Sequence, residues 1–532
     1  MASKLRLRCG DRHMQYKSIG SRLVATVLAL TMVSAASLAE PTPLTDDTRY
    51  AWLHMQGNLQ AQARLMALAE ESPEDLLISN VTIVDVVNGA LKQRRSIVIR
   101  DGRIDWVGDS DSTIDESGLV TIDGTGYYAA PGLTDMHVHT HDDADYLLHL
   151  AFGVTTIREM NGWPWRLARR QLIESGGLAA PNMYITSRIL NSSDLGGYAI
   201  AVNTEPAARS AVRTARAAGY DAIKTHNGLT KDVFLAIVDE AHRVGLNVVG
   251  HIPVRVSVVE AIDAGMLTAE HFKGYIDDRV LEISSQDWQS PTEGAAIFLT
   301  PTFYAYREHL RGDDAQSVID ASSHYMLPHR RIDWRRYASM EADELTQLRQ
   351  TIRPKSEEIF NALSPMFHNW LAGTDSGGYN LMVPGEALIE ELEIFQDLGL
   401  SPLEALRSGT TRASDAMNWS DRIGQISPGF QADLLLLERN PLESVANLRS
   451  LRATVIRGRL IEDPKSIVEN GSALDLSATH IDLRDLESAV ATAEQHAAAG
   501  YAQSSMSLAL WIELAETLSR PDLAERLRAL IM

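Results

Sequence analysis

The sequence predicts an α/β protein built around a (β/α)₈ TIM-like barrel. In residues 131–416, short β-rich runs alternate with helical stretches. This alternation predicts a parallel sheet, because a parallel crossover needs about a dozen residues or more. Eight such units in this span suit a barrel, which typically takes ~250 residues or more. An open doubly wound sheet is the alternative, and it is disfavoured because no G-x-G-x-x-G turn follows the first strand.

The predicted barrel strands are short and apolar, and amphipathic helical stretches such as 231–244 and 385–398 separate them. Short apolar runs bounded by turn residues are typical of strands in a buried parallel sheet. The eight predicted strands are 133–139, 154–159, 183–187, 222–224, 246–251, 267–271, 297–302 and 370–375.

Two β-rich segments flank the barrel, at 76–130 and 417–475. The first contains short strands around an Asp101-Gly102 turn, and the second returns to strand character after a glycine-rich stretch. We expect the two segments to pair into one small β-sandwich side domain. Residues 40–75 read as a helical segment, and 476–532 as a helical tail of two helices broken at Pro521.

Residues 1–39 have the layout of a secretory signal peptide. A basic leader precedes an apolar stretch at 23–38, and the small residues Ser37 and Ala39 stand just before Glu40. An uncleaved membrane anchor is the alternative, although the apolar run is near the ~18-residue lower bound for spanning. We expect an exported protein, periplasmic or extracellular, without stable membrane insertion after cleavage.

Composition narrows the range of partners and chemistry. The 532-residue chain carries a net charge of −21, which argues against nucleic acid, since phosphate binding needs a surplus of Lys and Arg. The partner we expect is a small-molecule substrate, and homo-oligomerisation is left open. The single cysteine, Cys9, lies in the leader. Any metal must therefore be bound by His, Asp, Glu or a modified Lys.

Two histidines at the end of the first predicted strand, His137 and His139, are the strongest chemical signal. Residues two apart in a strand project to the same side, so both rings can reach one ion at ~2.0–2.1 Å. The pattern is weak alone, but other strands also end on residues with metal-binding chemistry. These residues are Lys224 on strand four, His251 on strand five, His271 on strand six and Asp375 on strand eight. Because the carboxyl ends of barrel strands converge on one face, we expect a metal site there.

Lys224 is an unusual residue for such a site, because an ammonium group repels divalent ions and has no lone pair to donate. Carbamylation by CO₂ turns the side chain into a carboxylate-like anion that can bridge two ions. The alternative is an unmodified lysine that binds a substrate carboxylate. We favour the carbamate, because two neighbouring ions need a shared anionic ligand.

This set of residues predicts hydrolysis by an activated water. Two ions ~3.5–4 Å apart lower the pKa of a shared water from about 15.7 towards ~7 and polarise the scissile carbonyl. Asp375 can take the proton of this water and pass it to the leaving nitrogen, as general base and then acid. Glu270 and His226 lie beside predicted ligands. Hydrogen bonding to those ligands is one interpretation, but plain packing or solvation is the favoured one.

Four motifs carry a resemblance to a known family: APGLTDMHVH at 130–139, GVTTIR at 153–158, AGTDSG at 372–377 and GFQADL at 429–434. They resemble the amidohydrolase superfamily, most closely the imidazolonepropionase-like branch that contains Xaa-Pro dipeptidases and related carboxypeptidases. The resemblance runs from about residue 77 to 463. It implies a TIM-like barrel, a sandwich built from both flanking segments and a binuclear centre, usually zinc.

The resemblance also implies roles for individual residues. His137 and His139 would bind one ion together with Asp375, His251 and His271 would bind the second, and carbamylated Lys224 would bridge the two. In the dipeptidase-like relatives, a Tyr and an Arg after strand seven help to bind the substrate carboxylate. The residues at that place here are Tyr304, Tyr306 and Arg307.

The function that these features predict is hydrolysis of a C–N bond in a dipeptide or N-acyl amino acid. One alternative keeps the metals but opens a cyclic amide or lactam, or deaminates a heterocycle. Another is a non-catalytic binding barrel, which is disfavoured because such a protein has no use for a base on strand eight.

Overall fold

The structure, a computed structural model, describes residues 7–8, 42–43, 46–70, 75–277, 280–285, 287–306, 325–340, 343–377, 381–469, 480–481 and 483–531. The predicted leader lies outside these residues except for Leu7–Arg8, and so does Arg307. In the described part of the chain, no helix has both the length and the apolar content to cross a membrane.

The strands are numbered in chain order. They are β1 (Leu7–Arg8), β2 (Thr42–Pro43), β3 (Leu76–Asp85), β4 (Ala90–Arg100), β5 (Arg103–Asp109), β6 (Val120–Asp123), β7 (Tyr128–Pro131), β8 (Leu133–Val138), β9 (Val154–Glu159), β10 (Asn182–Ile185), β11 (Leu190–Asn191), β12 (Ile200–Ala201), β13 (Ala222–Thr225), β14 (Asn247–Gly250), β15 (Thr268–Glu270), β16 (Ile276–Asp277), β17 (Glu282–Ile283), β18 (Phe298–Thr300), β19 (Leu434–Leu437), β20 (Leu451–Ile456), β21 (Arg459–Glu462) and β22 (His480–Ile481).

The helices are numbered in the same way. They are α1 (Asp46–Glu70), α2 (Ala144–Ala151), α3 (Pro164–Glu174), α4 (Glu205–Ala218), α5 (Lys231–Arg243), α6 (Val258–Ala264), α7 (Gln289–Glu293), α8 (Pro328–Met340), α9 (Asp343–Leu363), α10 (Glu386–Asp397), α11 (Pro402–Ser408), α12 (Thr411–Ala416), α13 (Ser466–Glu469), α14 (Leu483–Ala498), α15 (Ser505–Thr517) and α16 (Pro521–Arg528). Short 3₁₀ turns cover Phe303–Tyr306 and Val445–Ser450.

Parallel strands form the centre of the molecule. One sheet has the order β10-β9-β8, and another contains β13-β14-β15-β18. Parallel bridges join them, Thr186 with Ala222 on one side, and Leu299 with Trp370 and Val138 with Ser376 on the other. The parallel pairing therefore starts at β8 and runs through eight segments of the chain. The last of them, segment 370–376, pairs in turn with β8. The predicted α/β fold with parallel strands is confirmed.

Two adjacent barrel strands show how completely the parallel strands are buried. Every residue of β8 and β9 is buried, as expected for parallel strands covered on both faces. The predicted bounds of β9 agree with the structure, and those of most other barrel strands differ by one or two residues. Segment 370–376 is different, because only its ends pair as bridges.

A mixed sheet beside the barrel combines strands from both flanking segments. Its order is β1-β6-β3-β7-β19-β20-β21, with β4 paired to β3 and β5 paired to β4. One connection between the two segments is the antiparallel pairing of β7 with β19, in which Pro131 faces Leu434. Alternate residues of the strands in this sheet form a separate apolar core. It includes Ile78 in β3, Ile97 in β4 and Leu436 in β19. The prediction of a side domain made from both segments is confirmed.

The N-terminal helix α1 packs against the C-terminal tail in an apolar cluster that contains Trp52, Met55, Leu514 and Trp511. The prediction for the tail is two helices broken at Pro521, but its described residues contain three, so this part of the prediction is wrong. Pro521 does begin α16. The additional break follows α14, where Gly500 takes a left-handed φ of 86° that favours glycine.

Candidate metal centre

The six predicted ligands come from the carboxyl ends of barrel strands. His137 lies within β8 and Lys224 within β13. His139, His251 and His271 directly follow β8, β14 and β15, respectively. Asp375 lies in segment 370–376, where its amide donates to the His137 carbonyl at 2.7 Å. Because the strands are parallel, these ends meet on one face of the barrel.

Three of these residues form one compact donor group. The Nε2 atoms of His137 and His139 lie 3.3 Å apart. Asp375 Oδ1 lies 3.5 Å from the first of these atoms and 3.4 Å from the second. All three ligand atoms lie within 4.8 Å of one another. Two imidazole nitrogens and a carboxylate oxygen around one point could bind a divalent ion such as Zn²⁺.

Each predicted histidine ligand has a partner at its Nδ1 atom. An outer partner at one ring nitrogen fixes the orientation of a metal-binding histidine and leaves the other nitrogen for the ion. The pairs are His137 with Glu270 (2.9 Å), His139 with the Tyr198 hydroxyl (3.3 Å), His251 with Asn227 (2.6 Å) and His271 with Thr302 (2.6 Å).

His251 and His271 lie beside the three-residue group. The ring centroid of His271 is 4.6 Å from that of His137 and 5.1 Å from that of His251. Burial is the main reason why the pKa of each of the four histidines lies well below its usual range. The positive charge of the nearby Lys224 lowers these pKa values further. Neutral imidazole is the form that binds a metal ion.

Lys224 is almost completely buried, at 1% exposure. Its Nζ atom has no hydrogen-bond partner among the described residues. Burial lowers the pKa of Lys224 to about 8, although the carboxylates of Glu270 and Asp375 oppose this effect. A buried amine without a partner is costly, so a further group at this atom fits the structure.

Glu270 and Arg158 form a buried polar network inside the barrel. Glu270 is fully buried and receives hydrogen bonds from His137 and, at 2.8 Å, from Arg158. Arg158 also donates to the Met136 carbonyl in β8. The favoured interpretation of Glu270 as a packing or solvated residue is therefore wrong. His226 makes a ring contact with His251 at 4.4 Å.

Arg158 and Asp135 have structural roles that the sequence motifs do not predict. Asp135 Oδ2 accepts from the Thr374 hydroxyl at 2.7 Å, and its Oδ1 accepts from the Thr374 amide at 3.1 Å. It thereby connects β8 to the segment that carries Asp375. Charged residues within otherwise apolar strands were the available signal, since a buried charge requires a partner.

The backbone is unusual at two of the predicted ligands. His271 and Asp375 both have a φ of 59°, a left-handed conformation that costs energy for residues other than glycine and that clusters at functional sites. Gly373 permits the close approach of segment 370–376 to β8. A Cβ atom there would lie 2.9 Å from the His137 backbone nitrogen and 2.6 Å from Thr300.

The predicted substrate residues have different surroundings. Tyr306 has its ring 6.1 Å from that of His271, so it lies beside the donor group. Tyr304 is buried in an apolar cluster with Met382 and Ala387, and its amide donates to Glu391 at 2.7 Å. Arg307 lies outside the described residues.

Two openings lie near the barrel mouth. The larger, about 570 Å³, is lined by Ile252, Gly274 and their neighbours, and none of the six predicted ligands lines it. A smaller cleft includes His139 itself, together with aromatic residues of the loops after β9 and β11. Of these two openings, only the smaller is lined by one of the predicted ligands.

Comparison with known proteins places these features in a wider context. A model described as "Amidohydrolase family" matches residues 128–461. The ochratoxinase of Aspergillus niger is 22% identical over 457 residues, which cover 73% of this chain and 86% of that protein. The structure described as "AH, Bottromycin amidohydrolase" has a TM-score of 0.66 at 24% identity, covering 81% of this chain and 98% of that one. A Xaa-Pro dipeptidase with bound methionine has a TM-score of 0.58 at 19% identity, covering 73% of this chain and 100% of that one.

The family match covers more than half of the chain, from the start of β7 into β21. It therefore spans the barrel and all six predicted ligands. The resemblance of the four sequence motifs to the amidohydrolase superfamily is confirmed. The chain belongs to the amidohydrolase family and is a hydrolase acting on carbon–nitrogen bonds.

Proposed function

We propose that the protein is an exported, metal-dependent amidohydrolase that cleaves the amide or peptide bond of a dipeptide or N-acyl amino acid. The observation that carries this proposal is the donor group of His137, His139 and Asp375, whose ligand atoms lie within 4.8 Å of one another. Asp375 can act as a base and lies next to two imidazole ligands at the barrel mouth. This arrangement suits hydrolysis by an activated water.

Two divalent ions, with zinc as the expected metal, fit the residues present. His137, His139 and Asp375 would bind one ion, and His251 with His271 would bind the second. Lys224, carbamylated by CO₂, would bridge them, and this assignment is supported by its buried, unpartnered Nζ atom. Such ions supply a water of lowered pKa and polarise the scissile carbonyl.

Asp375 is the residue that we assign to proton transfer. Its side chain is 29% exposed, whereas those of His137 and Glu270 are fully buried. A carboxylate at the boundary between the donor group and solvent can accept a proton from the attacking water and donate it to the leaving nitrogen. His137 and Glu270 hold the geometry, since both are fixed inside the barrel.

The substrate class rests on the relatives and on one side chain. A Xaa-Pro dipeptidase shares this fold, and the ochratoxinase shares sequence over most of the chain. Tyr306 lies beside His271, where its hydroxyl suits binding of a substrate carboxylate. Tyr304 and Arg307 stay in the proposal as further substrate residues.

A hydrolysis screen tests the reaction. Zinc-loaded mature protein is offered dipeptides, including Xaa-Pro, and N-acyl amino acids, and release of free amine is measured. We expect Asp375→Asn to abolish turnover while zinc still binds, because one carboxylate oxygen is kept as an amide oxygen. Asp105→Asn, an exposed residue of β5, is the matched control and should retain full activity.

Other outcomes of the screen distinguish the alternatives. Removal of the metal with EDTA or dipicolinate should abolish activity, and zinc should restore it; full activity of the metal-free protein would exclude the mechanism. Ammonia release without free amine indicates a deaminase, and turnover confined to lactams indicates a cyclic amide hydrolase. Ligand binding that is unchanged in Asp375→Asn, with no turnover of any compound, indicates a binding barrel.

Export is tested separately. The protein is produced with its full leader in a bacterial host, and the periplasmic and culture fractions are analysed by N-terminal sequencing. We expect a mature chain that begins at Glu40, because small residues precede it at the cleavage positions. An intact N-terminus on a membrane-bound protein would favour the anchor.

A further inference from the structure

The ring of His139 is held less firmly than the rings of the other three histidine ligands. Its Nδ1 contact to the hydroxyl of the exposed Tyr198 is 3.3 Å long, whereas the other three Nδ1 contacts are 2.6 to 2.9 Å long. The His139 side chain is 14% exposed, and the other three histidines are buried. Because water competes for a contact that solvent can reach, such a contact fixes a ring weakly. The position of His139 therefore depends more strongly on how its backbone is held.

The backbone at His139 is bound to the neighbouring segments of the barrel. The His139 amide donates to the Ser376 carbonyl at 2.8 Å. The next residue, Thr140, is 1% exposed, and its amide and hydroxyl both donate to Glu159 Oε2, at 3.1 and 2.8 Å. The Thr140 carbonyl accepts a hydrogen bond from Arg166. The amide, the hydroxyl and the carbonyl of Thr140 are thus all bound by two side chains, Glu159 and Arg166.

Glu159 and Arg166 form a buried ion pair. Glu159 is the last residue of β9 and is fully buried, and Arg166 lies in the first turn of α3 and is 4% exposed. The other carboxylate oxygen of Glu159 accepts from the Asn161 amide at 3.2 Å. A charge inside a protein is tolerated when it is paired. Each member of the pair therefore holds the other in place beside Thr140.

We infer that Glu159 is a positioning residue for the metal ligand His139, and that it acts through Thr140 while Arg166 holds its carboxylate in place. This inference rests on the proposed function, because His139 is a ligand only if the donor group binds metal. Glu159 does not bind the His139 ring directly, since its Oε1 lies 3.9 Å from Nδ1. Its effect is on the place of His139 Nε2 within the donor group, where metal affinity depends on the exact arrangement of the ligand atoms.

Glu159→Gln tests the inference, because it keeps the size of the side chain and removes the charge that binds Arg166 and Thr140. We expect the affinity for Zn²⁺, measured by competition with a calibrated chelator, to fall about 10–100-fold. The visible absorption spectrum of the Co²⁺-loaded variant should differ from that of the wild type, because this spectrum reports the geometry of the ligands around the ion.

Two further variants separate positioning from folding, since a buried arginine without its partner destabilises the protein. Glu159→Gln/Arg166→Met removes both charges, so its free energy of unfolding should recover relative to Glu159→Gln. Its Zn²⁺ affinity should stay low, because the Thr140 carbonyl has lost its donor. Thr140→Val keeps the ion pair and removes only the hydroxyl that donates to Glu159, so it should lower the affinity by a smaller factor. If Glu159→Gln does not fold, Thr140→Val decides the inference, and an unchanged affinity refutes it.

Glu240→Gln is the matched control, because Glu240 of α5 is a buried carboxylate that pairs with Arg209 and Arg213 of α4. It should lower stability and leave the Zn²⁺ affinity and the Co²⁺ spectrum unchanged. Unchanged affinity in Glu159→Gln, or affinity that recovers together with stability in the double variant, would overturn the inference. Wild-type protein that binds neither ion would contradict the proposed function and this role together. Protein that binds metal but cleaves no amide contradicts only the proposed reaction, and the affinities of the variants then decide the inference.

Discussion

His137 Nδ1 and Glu270 Oε2 lie 2.9 Å apart, and both side chains are fully buried. Because burial keeps the pKa of His137 well below its usual range, this contact is a hydrogen bond from a neutral ring. A carboxylate that accepts from Nδ1 increases the basicity of the opposite nitrogen. Nε2 of His137 is the atom that faces His139 and Asp375.

The first prediction concerns Glu270→Gln. The variant removes the negative charge that Nδ1 of His137 and the Arg158 guanidinium share, and we expect metal affinity to fall about 10–100-fold. Competition with a calibrated chelator measures the affinity, and elemental analysis measures the bound metal. Glu438→Gln, at an exposed position after β19, should bind metal like the wild type. Unchanged affinity in Glu270→Gln would show that the carboxylate does not support the ligand.

The second prediction concerns Lys224→Ala. Loss of the proposed bridging anion should lower both metal content and kcat, and acetate or propionate should restore part of each by entering the space that the side chain leaves. The intact wild-type protein, loaded with metal in bicarbonate buffer, should show the added mass of one CO₂ on Lys224 in native mass spectrometry. Lys231→Ala is the control, because Lys231 is exposed and pairs with Glu260. A metal-loaded protein without the added mass would refute the carbamate.

The fold could be predicted from the sequence because the barrel strands are short apolar runs with clear helical intervals. Segment 370–376 contains no regular strand although residues 370–375 read as one, since it pairs through bridges at its two ends and has a left-handed backbone at Asp375. The break at Gly500 was missed for a different reason. The residues around it continue the helical composition on both sides, and glycine inside such a pattern is a weak stop signal.

The ligands could be predicted because each lies at or near the end of a strand predicted from the sequence, but their supporting partners could not. Glu270 and Asn227 reach His137 and His251 from other strands or loops, and such pairings depend on the three-dimensional arrangement. Ser504 shows the limit most clearly. It lies 365 positions after His139, and nothing in its local sequence indicates that the tail reaches the cleft beside that histidine.

The third prediction concerns pH and Glu391. Burial is the main cause that raises the pKa of this carboxyl to about 8, against the lowering effect of hydrogen bonds from the Tyr304 and Phe303 amides. A raised pKa in the folded protein means that its contribution to stability is complete below the unfolded value, near 4.5, and is lost as pH rises through about 8. Glu391→Gln removes this titration and leaves one amide without an acceptor.

Wild type should therefore be more stable than Glu391→Gln at pH 5, and this advantage should shrink steadily up to pH 8. Each unit of pKa shift corresponds to about 1.4 kcal/mol of pH-dependent stability. Urea unfolding at several pH values measures the difference. Glu438→Gln should remain parallel to the wild type throughout. A constant difference between wild type and Glu391→Gln would mean that Glu391 does not titrate in this range.

The fourth prediction concerns the contact between the N-terminal helix and the tail. Trp511 is fully buried in the cluster with Trp52 and Met55, and its Nε1 donates to His54 Nδ1 at 3.0 Å. Trp511→Ala should lower the free energy of unfolding by about 3–5 kcal/mol, because it leaves a large cavity. Trp511→Phe should cost less, since a ring still fills most of the space and only the hydrogen bond is lost.

Urea unfolding followed by circular dichroism measures these changes, with Trp106→Ala as the control. Because Trp106 is only half-buried in the side sheet, its truncation should cost clearly less than that of Trp511. A Trp511→Ala variant as stable as the wild type would show that this cluster does not contribute to the stability of the protein.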